Sequence, residues 1–437
     1  MPSERSGTPP SRPSQRASTI PFRRRLAALL ITLFGILLVG FAFLEILFRT
    51  FVPVTDVPLS FWDPLVGPRL QPNQAGRFIK GSYDAKYNIN SQGWNHPADY
   101  RVERSPGTVR IALVGDSQVE SLQVNVEDTM FAVAQRRMSR PSRPVQWYAF
   151  GKAGFGTAQE LEVIRKYVLD YRPDVVVLLF VQNDPFDCSP YLVDPGPNIP
   201  IYSLDASGDL AFHFPVGPYQ PNPWRRLAAR SAVVRYFIVQ KDLLYRIQAF
   251  RGGPSGRPDV GGLPLVEPTS GAGGWIAELA ALPMEERERR TWQLIEALLK
   301  EMRDESRHRG ARFAVAFRGW PEEIDSPLTG ALPPLPPAAE DPSCLRSRIR
   351  QMGPEILEPM TRRLGIAYLD LAVPLKSAVA RSRKSHRFPE DNHYCVFGHA
   401  AAGEALAGFV DSILADSSLP PAASTLNHHD PSVATRK

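Results

Sequence analysis

Apolar residues along this chain fall into three patterns: one long unbroken run, several short runs, and stretches with helical spacing. The short runs are RIALV at Arg110 to Val114, then Val145 to Phe150, VVVLLFV at Val175 to Val181, Ala311 to Phe317 and Ile366 to Leu371. Runs of this length bounded by turn residues predict buried strands. Between the second and third, Leu161, Ile164, Val168 and Leu169 recur at helical spacing over Thr157 to Tyr171, and Arg172-Pro173-Asp174 stops that helix. Further helices are predicted at Met284 to Arg309, Pro354 to Leu364 and Gly398 to about Leu414. Strands alternating with helices imply an α/β fold, a parallel sheet covered on both faces. Ligands of such sheets bind beyond the carboxyl ends of the strands.

The alternation has interruptions. Residues 49–108 are rich in Pro, Gly and Asn, with YNINSQGW as the most strand-like part. Residues 188–285 are dense in Pro and Gly, with one helical patch around Trp224 to Phe250; they read as an irregular insertion that caps the site. The α/β domain is therefore expected in two parts, 109–187 and 286–414, with a Pro-rich loop around Pro333 to Pro342. The first 25 residues read as a basic, disordered cytoplasmic tail, and 415–437, with His428 and His429, as a second disordered tail.

The long run is LAALLITLFGILLVGFAFL, Leu26 to Leu44, 19 residues without a charge. A helix here, expected over 26–48, satisfies its own backbone hydrogen bonds and can span a bilayer core. Arg5, Arg12, Arg16, Arg23, Arg24 and Arg25 precede it, which predicts a cytoplasmic N-terminus and export of the remainder. A cleaved signal peptide is the competing reading. The polar leader, the length of the run and the lack of a small-x-small cleavage site favour an uncleaved anchor. Arg23-Arg24-Arg25 resembles a twin-arginine signal, poorly continued by Leu26-Ala27. Net charge is only +6, and much of the positive charge sits in that leader, so no basic stripe points to nucleic acid. Cys188, Cys344 and Cys395 allow at most one bridge, and no Cys/His cluster suggests zinc.

Polar groups follow three of the predicted strands: Gly115-Asp116-Ser117, then Gln182-Asn183-Asp184, and Glu390-Asp391-Asn392-His393. A serine hydroxyl becomes a nucleophile when an imidazole takes its proton and an acid orients that imidazole. Ser117, His393 and Asp391 can fill those roles. Asn183 and backbone N–H groups in Gly151-Lys-Ala-Gly154-Phe-Gly156 can stabilise the oxyanion formed on an ester carbonyl. Each feature alone has a plainer reading: a helix cap, a turn, a loop histidine. Their combination and order carry the inference.

IALVGDSQVESLQVNVEDTM resembles the GDS block of the SGNH/GDSL hydrolase superfamily, in its exported, membrane-anchored bacterial branch. FGKAGFGTAQELEVIRKY, RPDVVVLLFVQNDPFD and EDNHYCVFGHAAAGEAL resemble its glycine, asparagine and acid–histidine blocks, in family order over residues 110 to 412. The resemblance implies a three-layer α/β/α, flavodoxin-like domain with Ser117 as nucleophile, His393 as base and Asp391 as acid. It implies an oxyanion hole made by the Ser117 and Gly154 N–H groups, Gly156 being the lesser candidate, and by the Asn183 side chain. Asp116 is expected to organise the nucleophile turn.

Two departures bear on these roles. Val181 stands where the family's asparagine block usually has glycine, and Asp391 lies two residues before His393 where the spacing is often three. Glu390, at three, is the alternative acid. His399 is a further candidate base, better read as structural. Asp184 and Asp187 could suggest a metal, but the expected mechanism needs neither metal nor cofactor. Arg225, Arg226 and Arg230 read as a solvated helix face, and the seven scattered tryptophans as core or rim.

The expected function is acyl transfer through an acyl-Ser117 intermediate, to water or to a hydroxyl, on acylated polysaccharide, peptidoglycan or lipid at the envelope. An inactive scaffold serving a polysaccharide-modifying complex is the alternative, motivated by Val181. A nucleotide-binding protein would need a phosphate-binding glycine loop, and the sequence offers none.

Overall fold

The computed structural model describes residues 22–192, 200–213, 229–243, 247, 278–279, 281–330 and 352–416. The expected tails, the Pro-rich loop at Pro333 to Pro342 and Cys344 lie wholly or largely outside these residues, as do both ends of the helical patch at Trp224 to Phe250. Two compact units emerge, Met1–Pro53 and Val54–Lys437.

In the first unit the long apolar run forms a helix, Phe22–Phe51, whose leucines, isoleucines and phenylalanines are mostly exposed. Thirty residues at about 1.5 Å each give roughly 45 Å, enough to cross a bilayer. It is the one helix among the described residues long and apolar enough to do so.

The second unit is built on a five-stranded parallel sheet. Four strands precede it in the chain, as two antiparallel hairpins: β1 (Ser60–Asp63) with β2 (Gly67–Leu70), and β3 (Gln74–Lys80) with β4 (Tyr83–Ile89). The sequence marked only YNINSQGW as strand-like; β4 ends at Ile89, and Ser91 to Trp94 form a turn that brings Asn95 back against it. On β4 every second residue is buried, from Tyr83 to Ile89, the alternation of a strand with one covered face.

The sheet strands are β5 (Val109–Gly115), β6 (Val145–Gly151), β7 (Val175–Phe180), β10 (Arg312–Phe317) and β11 (Ala367–Asp370), in spatial order β11-β10-β7-β5-β6. A further hairpin, β8 (Ile201–Leu204) with β9 (Leu210–His213), lies in the insertion. Alternate side chains of β5 feed opposite cores. Ala112 and Val114 pack with Leu161, Ile164, Leu294 and Leu298 from helices on one face. Ile111 and Leu113 pack with Phe131, Ala134, Leu375, Leu406 and Val410 from helices on the other. The result is three layers, α/β/α. The helix predicted over Thr157 to Tyr171 begins as α-helix at Thr157–Val163, widens to a π turn at Ile164–Val168 and closes in a 3₁₀ turn at Leu169–Tyr171.

β5 is followed by its neighbour β6, whereas the next strand, β7, lies on the other side of β5. Strand order therefore reverses at β5, and a crevice opens beyond its carboxyl end. Gly115, Ser117 and the loop after β6 all lie at that end.

Candidate active site

β5 ends at Gly115, paired in register with Gly151 of β6. The chain then turns into a one-turn helix, Ser117–Glu120, capped by Asp116, whose carboxylate accepts the Gln118 N–H at 2.8 Å. Asp116 thus organises the turn, as expected. A Cβ at Gly151 would strike the Glu120 nitrogen and lie 2.5 Å from the Val119 carbonyl carbon, so only glycine lets β6 end beside the nucleophile turn.

Three side chains then join in a chain of hydrogen bonds. Ser117 Oγ lies 2.8 Å from His393 Nε2, and His393 Nδ1 lies 2.5 Å from Asp391 Oδ1. Ser117 and His393 are 276 positions apart in sequence. Asp391 also accepts the His393 N–H at 3.1 Å, which fixes the loop on itself. Burial opposes ionisation of Asp391, but hydrogen bonds and charge from His393 outweigh it and hold the carboxyl below its usual range. An ionised acid on Nδ1 leaves Nε2 to face the serine, the tautomer a base needs.

The two candidate acids separate cleanly. Asp391 meets the imidazole, whereas Glu390 points to the turn between β3 and β4 and accepts the Ser82 N–H. His399 is fully buried and accepts the Met130 N–H on Nδ1 at 3.2 Å. Burial pushes it down to about 3, a neutral histidine built into the core.

Of the expected oxyanion donors, Gly154 has φ +81 and open space around it. Its N–H makes no hydrogen bond among the described residues, while the Gly156 N–H is spent on Gln159 at 3.3 Å. Gly156 is instead a packing glycine, its Cα against the backbone of Asp187. Asn183 Nδ2 donates to Asp187 at 2.6 Å and to Asp116 at 3.2 Å. Both its N–H bonds are thus directed at carboxylates. Burial raises Asp187 to about 7, despite the hydrogen bond from Asn183. Behind it, Asp184 accepts the Val181 N–H at 2.8 Å, and Glu160 is fully buried with neither carboxyl oxygen hydrogen-bonded. Burial pushes both well above the usual carboxylate range, which keeps this acidic layer from accumulating charge. Val181 fits the apolar core on the opposite face.

Sequence reasoning missed two supports of the histidine loop. Arg318, at the end of β10, is fully buried and its guanidinium donates to the Asn392 carbonyl and, at 3.3 Å, to Gln182. It also lies 5.0 Å from the Tyr394 ring centre, and the Tyr394 hydroxyl donates to the Arg318 carbonyl at 2.9 Å. Gln118 Nε2 reaches the same Asn392 carbonyl at 3.5 Å. A charged residue closing an otherwise apolar strand, FAVAFR, was the available signal. Cys188 and Cys395 are free thiols, Cys188 being buried.

No protein-family model matches the chain, and no curated protein matches it. Similar solved structures include TesA, at 11% identity over 70% of this chain and 99% of that one, with a TM-score of 0.34. An acetyl-xylooligosaccharide esterase from Geobacillus is similar at 12% identity, over 69% and 94%, with a TM-score of 0.35. The psychrotrophic esterase EstA from Pseudoalteromonas sp. is similar at 8%, over 70% and 99%, with a TM-score of 0.34.

Proposed function

We propose that this protein is an ester hydrolase or O-acyl transferase of the SGNH/GDSL type, working through an acyl-Ser117 intermediate. One observation carries the reading: Ser117, His393 and Asp391 form an unbroken hydrogen-bonded chain beyond the carboxyl end of β5. His393 takes the Ser117 proton as Oγ attacks the ester carbonyl. The tetrahedral oxyanion is held by the Ser117 and Gly154 N–H groups and by Asn183 once an N–H is released from a carboxylate. The C–O bond to the leaving alcohol then breaks, and His393 returns the proton to that alcohol. Water, or a sugar hydroxyl, resolves the acyl-serine by the same steps in reverse.

The anchor suggests substrates held at the envelope: acylated polysaccharide, peptidoglycan or lipid, met outside the cytoplasmic membrane. Residues 109–187 and 286–414 form the catalytic domain in this reading, 26–48 the anchor, 49–108 the juxtamembrane extension and 188–285 the cap.

The test is release of p-nitrophenol from acetyl and longer acyl esters by the detergent-solubilised full chain. Turnover lost in both Ser117→Ala and His393→Ala supports the mechanism. Turnover retained in either variant contradicts it. A folded wild type that neither turns over esters nor reacts with a fluorophosphonate points to the inactive scaffold.

A further inference from the structure

Asn392 stands between the acid and the base of the triad, and an arginine holds each of its two polar ends. Its carbonyl accepts the Arg318 guanidinium. Its side-chain oxygen accepts Nη1 of Arg387, five positions earlier in the chain. Arg387 sits at the root of the histidine loop, bridged across to Tyr394. Inside that bridge the Phe388 N–H donates to the His393 carbonyl at 3.3 Å, which closes the loop. The Arg387 guanidinium also reaches outward. Nη1 donates to Glu322 of the short helix Pro321–Ile324 at 2.9 Å, and Nε donates to Asp325, at the end of that helix, at 3.2 Å. Asp325 is fixed in turn: it accepts Ser385 Oγ at 2.9 Å and lies 2.8 Å from Nδ1 of the buried His386. Burial opposes its ionisation, but the hydrogen bonds from His386 and Ser385 outweigh it and hold the carboxyl down to about 2. Arg387 therefore rests on a carboxylate that keeps its charge.

We propose that Arg387 is a positioning residue for His393, acting through the Asn392 side chain and tying the histidine loop to the helix Pro321–Ile324. This rests on the reading of Ser117, His393 and Asp391 given above. The two peptide units that flank Asn392 set the directions of the Asp391 and His393 side chains. A residue held only by its carbonyl can still swing about that bond. A second hold on its side chain removes the swing, and with it the drift of His393 Nε2 from Ser117 Oγ. Arginine suits the task because one planar guanidinium directs separate N–H groups at Asn392, Glu322 and Asp325, where a lysine would offer a single point of charge. Small displacements at a proton-transferring atom are costly, so a side chain that never touches the ester can govern the rate.

The test is a double-mutant cycle in the detergent-solubilised full chain, read as ester kcat and KM and as the second-order rate of fluorophosphonate labelling. Arg387→Gln is expected to lose about tenfold or more in kcat and in labelling, with KM nearly unchanged. Asn392→Ala, which leaves Arg387 both of its carboxylates, is expected to lose a similar factor. The double variant should lose no more than the worse single one, because both substitutions break the same link. Arg387→Lys, which keeps the charge and loses the fork, is expected to stay impaired. Asn392→Ala with wild-type kcat and labelling overturns the proposal while leaving the triad intact, and it does so even where Arg387→Gln fails to fold. Single losses that multiply in the double variant overturn it too, because the two side chains then act independently. A Ser117→Ala variant that still turns over or labels overturns the triad itself. Wild type that is folded and inert in both assays overturns both.

Discussion

Asn183 and Asp187 set the most consequential residue-scale question. The amide that would steady an oxyanion is held by a carboxylate 2.6 Å away. Burial raises that carboxyl to about 7, well above its unfolded value near 3.9. The folded chain therefore binds this proton more tightly than the unfolded chain. Stability from the group is fully present below about pH 4 and is lost as pH rises through about 7. Asp187→Asn removes that dependence. The difference in melting temperature between variant and wild type should move in the variant's favour from pH 5 to pH 8; parallel curves contradict the burial argument. Arg318 offers a second test. Arg318→Met removes the donor to the Asn392 carbonyl, and esterase kcat should fall by about tenfold or more. Little change in kcat would mean that the Arg318 guanidinium does not hold the loop.

Individual residues were unequally legible in the sequence. Ser117 could be picked because it follows a strand, and all three because each carries a side chain that an apolar core does not need; Asp391 and His393 follow the helix Ala372–Ser382, not β11 directly. The choice between Asp391 and Glu390 was not local. Glu390 is drawn away by Ser82, which no spacing near His393 encodes. The capture of Asn183 was equally hidden, because it depends on where the short helix Asp184–Cys188 aims Asp187.

Among elements, β5, β6, β7 and β10 were readable as short apolar runs because burial on both faces leaves little room for polar residues, whereas β11, at the sheet edge, is only half-buried. The hairpins were harder. β1 and β2 are four residues each, too short to show a period, and β3 exposes both Ala75 and Arg77, so it shows no clean alternation of apolar and polar residues. The insertion hairpin β8–β9 is similarly brief, so it was masked by the Pro and Gly around it. Two substitutions probe how elements hold the site. Gly151→Ala forces β6 away from the nucleophile turn; it should cost about 1–3 kcal/mol and slow labelling of Ser117. Leu298→Ala, in the long helix Met284–His308, empties a buried position on the opposite core face and should cost about 2–5 kcal/mol. The labelling rate at temperatures where it stays folded should be unchanged. If both variants lose stability and rate together, the nucleophile turn is not set by Gly151 in particular.

For the molecule as a whole, the helix Phe22–Phe51 is long and apolar enough to cross a membrane. A chain of this kind should sediment with membranes, resist extraction by high salt or alkaline carbonate, and be released by detergent. Release by carbonate alone would argue for a peripheral protein or a cleaved leader. The arginine-rich leader predicts that the second unit lies outside, and a protease added to spheroplasts should cut it. Protection in intact spheroplasts with cleavage only after lysis would reverse the orientation.

The central claim is that Ser117 is a nucleophile activated through His393. Intact-protein and peptide mass spectrometry after fluorophosphonate treatment of the full chain tests it most directly, because phosphonylation of Oγ with loss of fluoride marks the reacting atom. One adduct is expected, on the peptide containing Ser117, absent from Ser117→Ala and strongly slowed in His393→Ala. A folded protein that takes up no adduct, or takes it up on another residue, means that Ser117 is not the activated nucleophile.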